Sequence, residues 1–524
     1  MFFSHREMPS ARSGVHDRRA PLAAVAGASL LLSACSAGYT ATGESSDVSP
    51  ADTITIGATA APASLDFTTT SGAAIPQALM GNVYEGLVSI DQNGDIQPLL
   101  AESWDESADG TVYTFHLRRD VQFSNGAPFN AGTAKFSIDR VNSDAWTNGL
   151  KAQMAKVAST RVVDNNTLEV TLSQRSNTWL WTMGTMIGAM MSPTAVDNLA
   201  NEPVGTGPFV VDNWAVGTSI SMHRNENYWG VHPTAKRAVL RYFGDAISLT
   251  NAVRTGDVDV AVGLQNPELL DSLSKQDDLN IEVGTSNGEV VLSMNNKRAP
   301  FTDVRVRQAV MYGIDRQGLI DAAWDGYGLD TGGTPVPPTD PWYTGTSQYN
   351  FDPDKARQLM EEAGAVGTPI TISVPSLPYA QAASEMIYSQ LRDIGFDVKI
   401  ESTEFPAVWL AKVLKGKDYD MSIIAHVEPR DIPTLFGNPD YYLGFDDATV
   451  QQLLAQADFA PEDQFSGLMK QAVTAIMDQA AADTVFNLPN IVVARDGVSG
   501  VPVNLVSDGL SLAPITKTSA KEGS

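Results

Sequence analysis

Six histidines and one cysteine are the scarcest reactive side chains here, and their spacing decides which chemistry is within reach. Beyond residue 34 the histidines are His116, His223, His232 and His426. His223 and His232 lie nine apart, with no carboxylate at a spacing that completes a zinc set, and there is no H-E-x-x-H. A serine nucleophile wants a G-x-S-x-G elbow, and Gly497-Val498-Ser499-Gly500 lacks its final spacing. A phosphate cradle wants a glycine-rich turn running into a helix. In Gly205-Thr206-Gly207-Pro208 the proline blocks that helix. The 61 acidic residues give many accidental carboxylate pairs, so none is singled out as a general acid and base. No catalytic residue, metal set or resident cofactor is assigned. The expectation is a binding protein, with an exported hydrolase as the distant alternative.

Cys35 is the only thiol, so no intramolecular disulfide can form. Arg6, Arg12, Arg18 and Arg19 precede an apolar run over 21–32, shorter than the roughly 20 residues that span a bilayer. Leu32-Ser33-Ala34-Cys35 then resembles a bacterial lipobox. That resemblance implies cleavage before Cys35 and a diacylglyceryl group on its sulfur. Each buried CH₂ contributes about 0.8 kcal/mol, so two or more acyl chains anchor stably where one is marginal. A plain signal peptide cut nearby is the alternative, and Arg18-Arg19 leaves the twin-arginine route open beside the general secretory one. Residues 35–51, rich in Ser, Ala, Thr and Gly, are expected to be a flexible tether ahead of a folded body.

About 470 residues remain for that body, more than one core usually supports, so two or three lobes are expected. The formal net charge is −26, and removing residues 1–34, with four arginines and two acids, leaves 31 basic against 59 acidic side chains. Phosphate binding needs a basic surface, so nucleic acid is excluded as a partner, as is an electrostatic membrane site. The excess of acids favours solubility and draws cationic ligands weakly.

Strand and helix signals alternate along the chain. Ile54 and Ile56, then Tyr113, Phe115 and Leu117, then Leu168, Val170 and Leu172, then Ile220 and Met222, alternate apolar with polar and predict strands. Asp352-Pro353 predicts a helix start, and Ala356, Leu359, Met360 and Ala363 form its stripe up to Gly364. Ile370, Ile372 and Val374 predict a strand, residues 379–394 a helix, and Phe396, Val398 and Ile400 the next strand, which makes a βαβ unit in an α/β lobe.

Several segments, in order, resemble the extracytoplasmic solute-binding proteins that serve peptide and nickel ABC importers (solute-binding family 5). They include Ser64-Leu65-Asp66, NVYEGLV (82–88), PLLAESW (98–104), PVGTGPF (203–209), NENYWG (225–230), VRVRQAVMYGID (304–315) and the helix of 352–364. The resemblance spans nearly all of the chain beyond residue 52. It implies a periplasmic-binding-protein-like α/β fold of type II, cluster C-like: two lobes, a hinge, and an extra subdomain in the first lobe. Mapped here, lobe I covers 52–290, lobe II 291–490, and 491–524 returns to lobe I and ends in a tail. The implied function is capture of a short peptide between closing lobes and delivery to permease subunits, by a monomer held through its lipid alone at the outer face of a Gram-positive-type membrane. A nickel chelate, an opine-like compound or an oligosaccharide is the alternative ligand.

The resemblance also implies site residues. Peptide-binding members hold the ligand ammonium with an acid in a late loop, here 425–436 after a strand at 420–424, which offers Glu428 and Asp431, the latter preferred, against a plain N-cap role for Asp431. Arg430 could meet the peptide carboxylate or pair with either acid. His426 stands where members often carry tryptophan, which keeps a chelate ligand open. Tyr84, Glu85 and the turn Gly205, Thr206, Gly207 are expected at the cleft, the glycines more for backbone geometry than contact. Dipeptide-specific members carry an arginine near 376–379, where this chain has SLPY ending in Tyr379. That departure argues against strict dipeptide selectivity. Tyr441, Tyr442 and Trp409 offer aromatic walls or core packing.

Overall fold

Strand β1 (Thr53–Ala58) buries Ile54 and Ile56 and turns its threonines outward, as its alternation requires. The computed structural model describes residues 49–518. Cys35, the expected tether before residue 49 and the last residues of the expected tail lie outside the described residues.

An antiparallel sheet is inserted after β1. It comprises β2 (Ala101–Glu106), β3 (Val112–Leu117), β4 (Val157–Asp164) and β5 (Thr167–Leu172), in the order β2-β3-β5-β4. Tyr113, Phe115 and Leu117 of β3 and Leu168, Val170 and Leu172 of β5 point to one core. Helix α1 (Ala131–Val141) packs on this sheet. Asn130 starts it by accepting from the Gly132 and Thr133 amides, and Thr133 bonds back to the Asn130 amide.

The main sheet adds β6 (Phe209–Ala215), β7 (Ser219–Arg224), β8 (Arg237–Tyr242), β9 (Val260–Val262), β10 (Leu279–Met294), β11 (Pro369–Pro375), β12 (Asp397–Thr403), β13 (Met421–His426) and β14 (Ala482–Arg495). Its ten strands run β12-β11-β13-β10-β14-β9-β1-β8-β7-β6. Helix α2 (Pro353–Glu362) begins at Asp352, whose carboxylate accepts from the Lys355 amide, and buries Ala356, Leu359 and Met360. Helix α3 (Pro378–Asp393) links β11 to β12, which pair in parallel from Pro369–Asp397 to Pro375–Thr403, closing the expected βαβ unit. Helices α4 (Ala448–Phe459) and α5 (Glu462–Asp478) follow.

Two strands carry the sheet from one half to the other. β10 and β14 pair antiparallel from Leu279–Arg495 to Ser293–Ala482. β10 meets β13 only from Glu289 onward, and β14 meets β9 only at Val492–Ala494. β14 is buried almost throughout, which fits a strand covered on both faces. The expected lobe boundary at 290–291 falls inside the sixteen-residue β10. Within β14, Asp483 accepts from Arg316 Nε at 2.7 Å, and both side chains are buried.

Candidate functional site

A cavity of about 670 Å³ lies between the halves. Residues 67–76, 146–156 and 178–187 line it from the first half, and 427–434 with Tyr441 from the second. Asp508, from the segment after β14, completes the wall.

Loop 427–436 is shorter than the sequence predicts, because β13 continues through His426 and the segment Ile432–Leu435 is helical. Arg430 adopts a φ of 54° in this loop, a left-handed conformation costly for a non-glycine residue. Its guanidinium carbon stands 4.4 Å from the Trp181 ring of one half and 5.1 Å from the Trp342 ring of the other. Nη2 donates to the Gly94 carbonyl at 3.4 Å, and Nε lies 3.6 Å from Asp340 Oδ1. Arg430 therefore pairs with neither Glu428 nor Asp431. Burial pushes the Asp340 carboxyl up to about 6, against the opposing pull of Arg430.

Glu428 is exposed on the cavity wall and forms no ion pair among the described residues. Asp431, the preferred candidate, does not line the cavity. Its side chain is 10% exposed and 3.8 Å from His426 Nδ1. Burial first, then Glu428 and Asp340, raises its carboxyl well above the usual range. It occupies the N-cap position of the short helix, but its side chain makes no capping bond. His426 is buried against Tyr442, with Nε2 3.0 Å from the phenol oxygen, and burial pulls it down to about 4, so it is neutral.

Tyr379, Tyr84, Glu85, Gly205, Thr206 and Gly207 do not line the cavity. Tyr379 is buried with its hydroxyl accepting from the Ala425 amide, away from the cavity. Tyr84 is fully buried and does not line the cavity. Glu85 is buried behind the wall, where Oε1 accepts from Tyr228 at 2.8 Å and Oε2 from Thr206 at 2.8 Å and Trp229 at 2.9 Å. Burial pushes its carboxyl up to about 7 despite these bonds. Gly205 and Gly207 do not reach the cavity either: a Cβ on them would lie 1.9 Å from the Val83 carbonyl and 2.4 Å from that of Asn82. The motifs NVYEGLV, PVGTGPF and NENYWG thus converge on one buried knot centred on Glu85, and their geometry is structural. Trp409 and Tyr442 are core residues, while Tyr441 does face the cavity.

Two features escaped the sequence reading. Asp508 Oδ2 accepts from the Met186 amide at 2.8 Å, its Oδ1 is buried with no partner among the described residues, and burial pushes the carboxyl up to about 6. The second is a clamp across the halves. Asp458 at the end of α4 accepts from Lys156 Nζ at 2.5 Å and from Ser176 and Thr178 hydroxyls at 2.8 Å, while Asn177 Nδ2 donates to the Ala457 and Ala460 carbonyls. No local pattern pairs residues nearly 300 positions apart.

A model of the bacterial extracellular solute-binding proteins, family 5 (middle region), matches residues 95–467. The chain belongs to this family. The solute-binding protein is 31% identical over 353 residues to the protein named glutathione-binding protein GsiB of Salmonella choleraesuis (strain SC-B67), covering 66% of this chain and 68% of that one. Its fold is similar to Helicobacter pylori DppA, solved with the peptide STSA, at a TM-score of 0.76 and 24% identity, over 89% of this chain and 98% of the other. Brucella suis NikA, solved with Fe(III)-EDTA, gives a TM-score of 0.79 at 23% identity, over 88% and 100%. The fold is thus the α/β periplasmic-binding-protein type, and the protein is an extracytoplasmic solute-binding component of an ABC importer. No helix among the described residues is long and apolar enough to cross a membrane.

Proposed function

We propose that this solute-binding protein captures short peptides and delivers them to its permease, anchored through lipid on Cys35. Lobes of 52–290 and 291–490, with 491–524 returning to the first, close about β10 and β14. One observation supports this most: a cavity of about 670 Å³, inside the roughly 300–1,000 Å³ range of small-molecule sites, receives a carboxylate and a guanidinium from the same loop, Glu428 and Arg430. A peptide is a zwitterion, and burying either terminus unpaired is costly. Glu428 takes the ammonium in place of Asp431, whose carboxyl does not line the cavity and is raised by burial. Arg430 offers its remaining donors to the carboxylate.

Thermal unfolding of the protein with peptides, Ni²⁺–histidine and oligosaccharides tests the ligand class. Stabilisation by peptides is expected, and stabilisation by sugars alone overturns the reading. Glu428→Gln should weaken free peptides roughly tenfold and spare their N-acetylated forms, since a hydrogen bond to a charged group is worth about 1.5–3 kcal/mol. Cys35→Ala should release the protein from membranes.

A metal chelate is the second reading. Ligand atoms of His426, Glu428 and Asp431 lie within 4.8 Å of one another, and His426 is neutral, as a ligand must be. Stabilisation by Ni²⁺–histidine that His426→Ala removes would favour it.

A further inference from the structure

A second compartment of about 260 Å³ adjoins the main cavity, and Lys156, Thr178, Arg430 and Pro433 line both. Lys156 and Thr178 come from the first half, Arg430 and Pro433 from the second, so the partition lies on the seam between the halves. Among the described residues no hydrogen bond or ion pair joins the first two to the last two. Beyond the partition the walls belong to the second half: Leu454 and Ala455 of α4, Phe465 and Met469 of α5, and Trp342. Trp342 and Phe465 meet edge to face, with ring centroids 5.5 Å apart. The three charged side chains at this compartment already have partners. Lys156 Nζ has three donors, which meet Asp458 at 2.5 Å, Ser176 at 2.8 Å and Thr178 at 3.0 Å. Asp458 also accepts from the Ser176 and Thr178 hydroxyls, and Arg430 stands beside Asp340 at 3.6 Å. The Gln451 amide nitrogen goes to Asp446 at 3.0 Å.

We infer that this compartment is a specificity subsite, which takes one uncharged apolar or aromatic side chain of a peptide whose backbone lies in the main cavity. This rests on the peptide reading above. An ionic side chain entering here would shed its water and find every counter-charge engaged, which is costly. An apolar one leaves water for contact with Leu454, Met469 and two aromatic rings. The volume falls below the roughly 300–1,000 Å³ of sites for whole small molecules, so the compartment suits one side chain rather than a second ligand. Access follows from the position of the partition. As the halves part, Lys156 and Thr178 leave with one and Arg430 and Pro433 with the other, which joins the two compartments. Closure then sets Lys156 on Asp458 and lids the side chain.

Titration calorimetry at pH 7.5 compares Ala-Ala-Ala with the tripeptides that carry one phenylalanine, lysine or glutamate at each position. Phenylalanine at one position should tighten binding at least about tenfold, and lysine or glutamate at that position should bring no gain. Ala455→Trp fills the compartment from an exposed helix position and should shrink the phenylalanine gain to within about threefold. The main cavity has aromatic walls of its own at Phe67 and Trp146, so the place of the ring is read directly. Crystals of the native protein with the 4-bromophenylalanine peptide should show the bromine anomalous signal beside Trp342 and Met469. A signal beside Phe67 or Trp146 would overturn the inference, even if the variant unfolds. Absence of any phenylalanine gain, or a gain that survives Ala455→Trp, would also overturn it and leave the peptide reading standing. If no peptide binds while another solute does, the peptide reading fails and this inference falls with it.

Discussion

Glu85 should make this protein less stable as pH rises through neutrality. Its carboxyl ordinarily ionises near 4.5, and burial lifts it to about 7 in the fold. Between those values the unfolded chain has lost the proton and the folded one keeps it, so the unfolded state binds fewer protons and stability falls with rising pH. The advantage is present in full below the unfolded value and is lost by the time pH passes the folded one. A displacement of that size corresponds to about 3 kcal/mol between roughly pH 4 and pH 8. Asp340 and Asp508, both lifted to about 6, run in the same direction, so the native pH profile alone is not diagnostic. The decisive comparison is Glu85→Gln. Glutamine keeps the shape, leaves an oxygen for Thr206 and Trp229, and turns an amide to Tyr228, whose hydroxyl can reverse and accept. Urea unfolding of both proteins at pH 4 and pH 8 should show the variant gaining about 3 kcal/mol relative to native over that interval. Parallel pH profiles would refute the claim that Glu85 folds with its proton.

Asp483→Ala strands Arg316 in the interior and should cost about 3–5 kcal/mol in unfolding free energy. A loss below 1 kcal/mol would mean the site hydrates. Asp458→Asn loosens the clamp with Lys156, Ser176 and Thr178, so it should weaken ligand binding roughly tenfold and enlarge the radius of gyration in small-angle scattering. Unchanged scattering and affinity would dismiss the clamp. Arg430→Lys keeps a charge but loses the guanidinium held over the Trp181 and Trp342 rings, each contact being worth about 0.5–2 kcal/mol. Lower stability with a red-shifted tryptophan emission is expected, and an unaltered spectrum would contradict the cation–ring contacts.

The sequence by itself determined the local elements. Ile54 and Ile56, the Asp352-Pro353 helix start and the βαβ unit around Ile370 and Val398 all stand where period and capping put them. Those signals are written in neighbouring residues, so they survive without the rest of the chain. Ordered motifs also carried the family. What they did not carry was their own purpose. Glu85 and Thr206 read as cleft residues, yet they bond each other, with Trp229, inside the first half, because a carboxylate buried away from water must recruit donors from distant segments. Site residues separated in the same way. Glu428 faces the cavity and Asp431, three positions on, turns inward, a difference set by the left-handed turn at Arg430 that no period encodes. Asp508 and the Asp458 clamp were decided only by tertiary structure, because charge pairing across hundreds of residues depends on which surfaces the sheet crossing at β10 and β14 brings together.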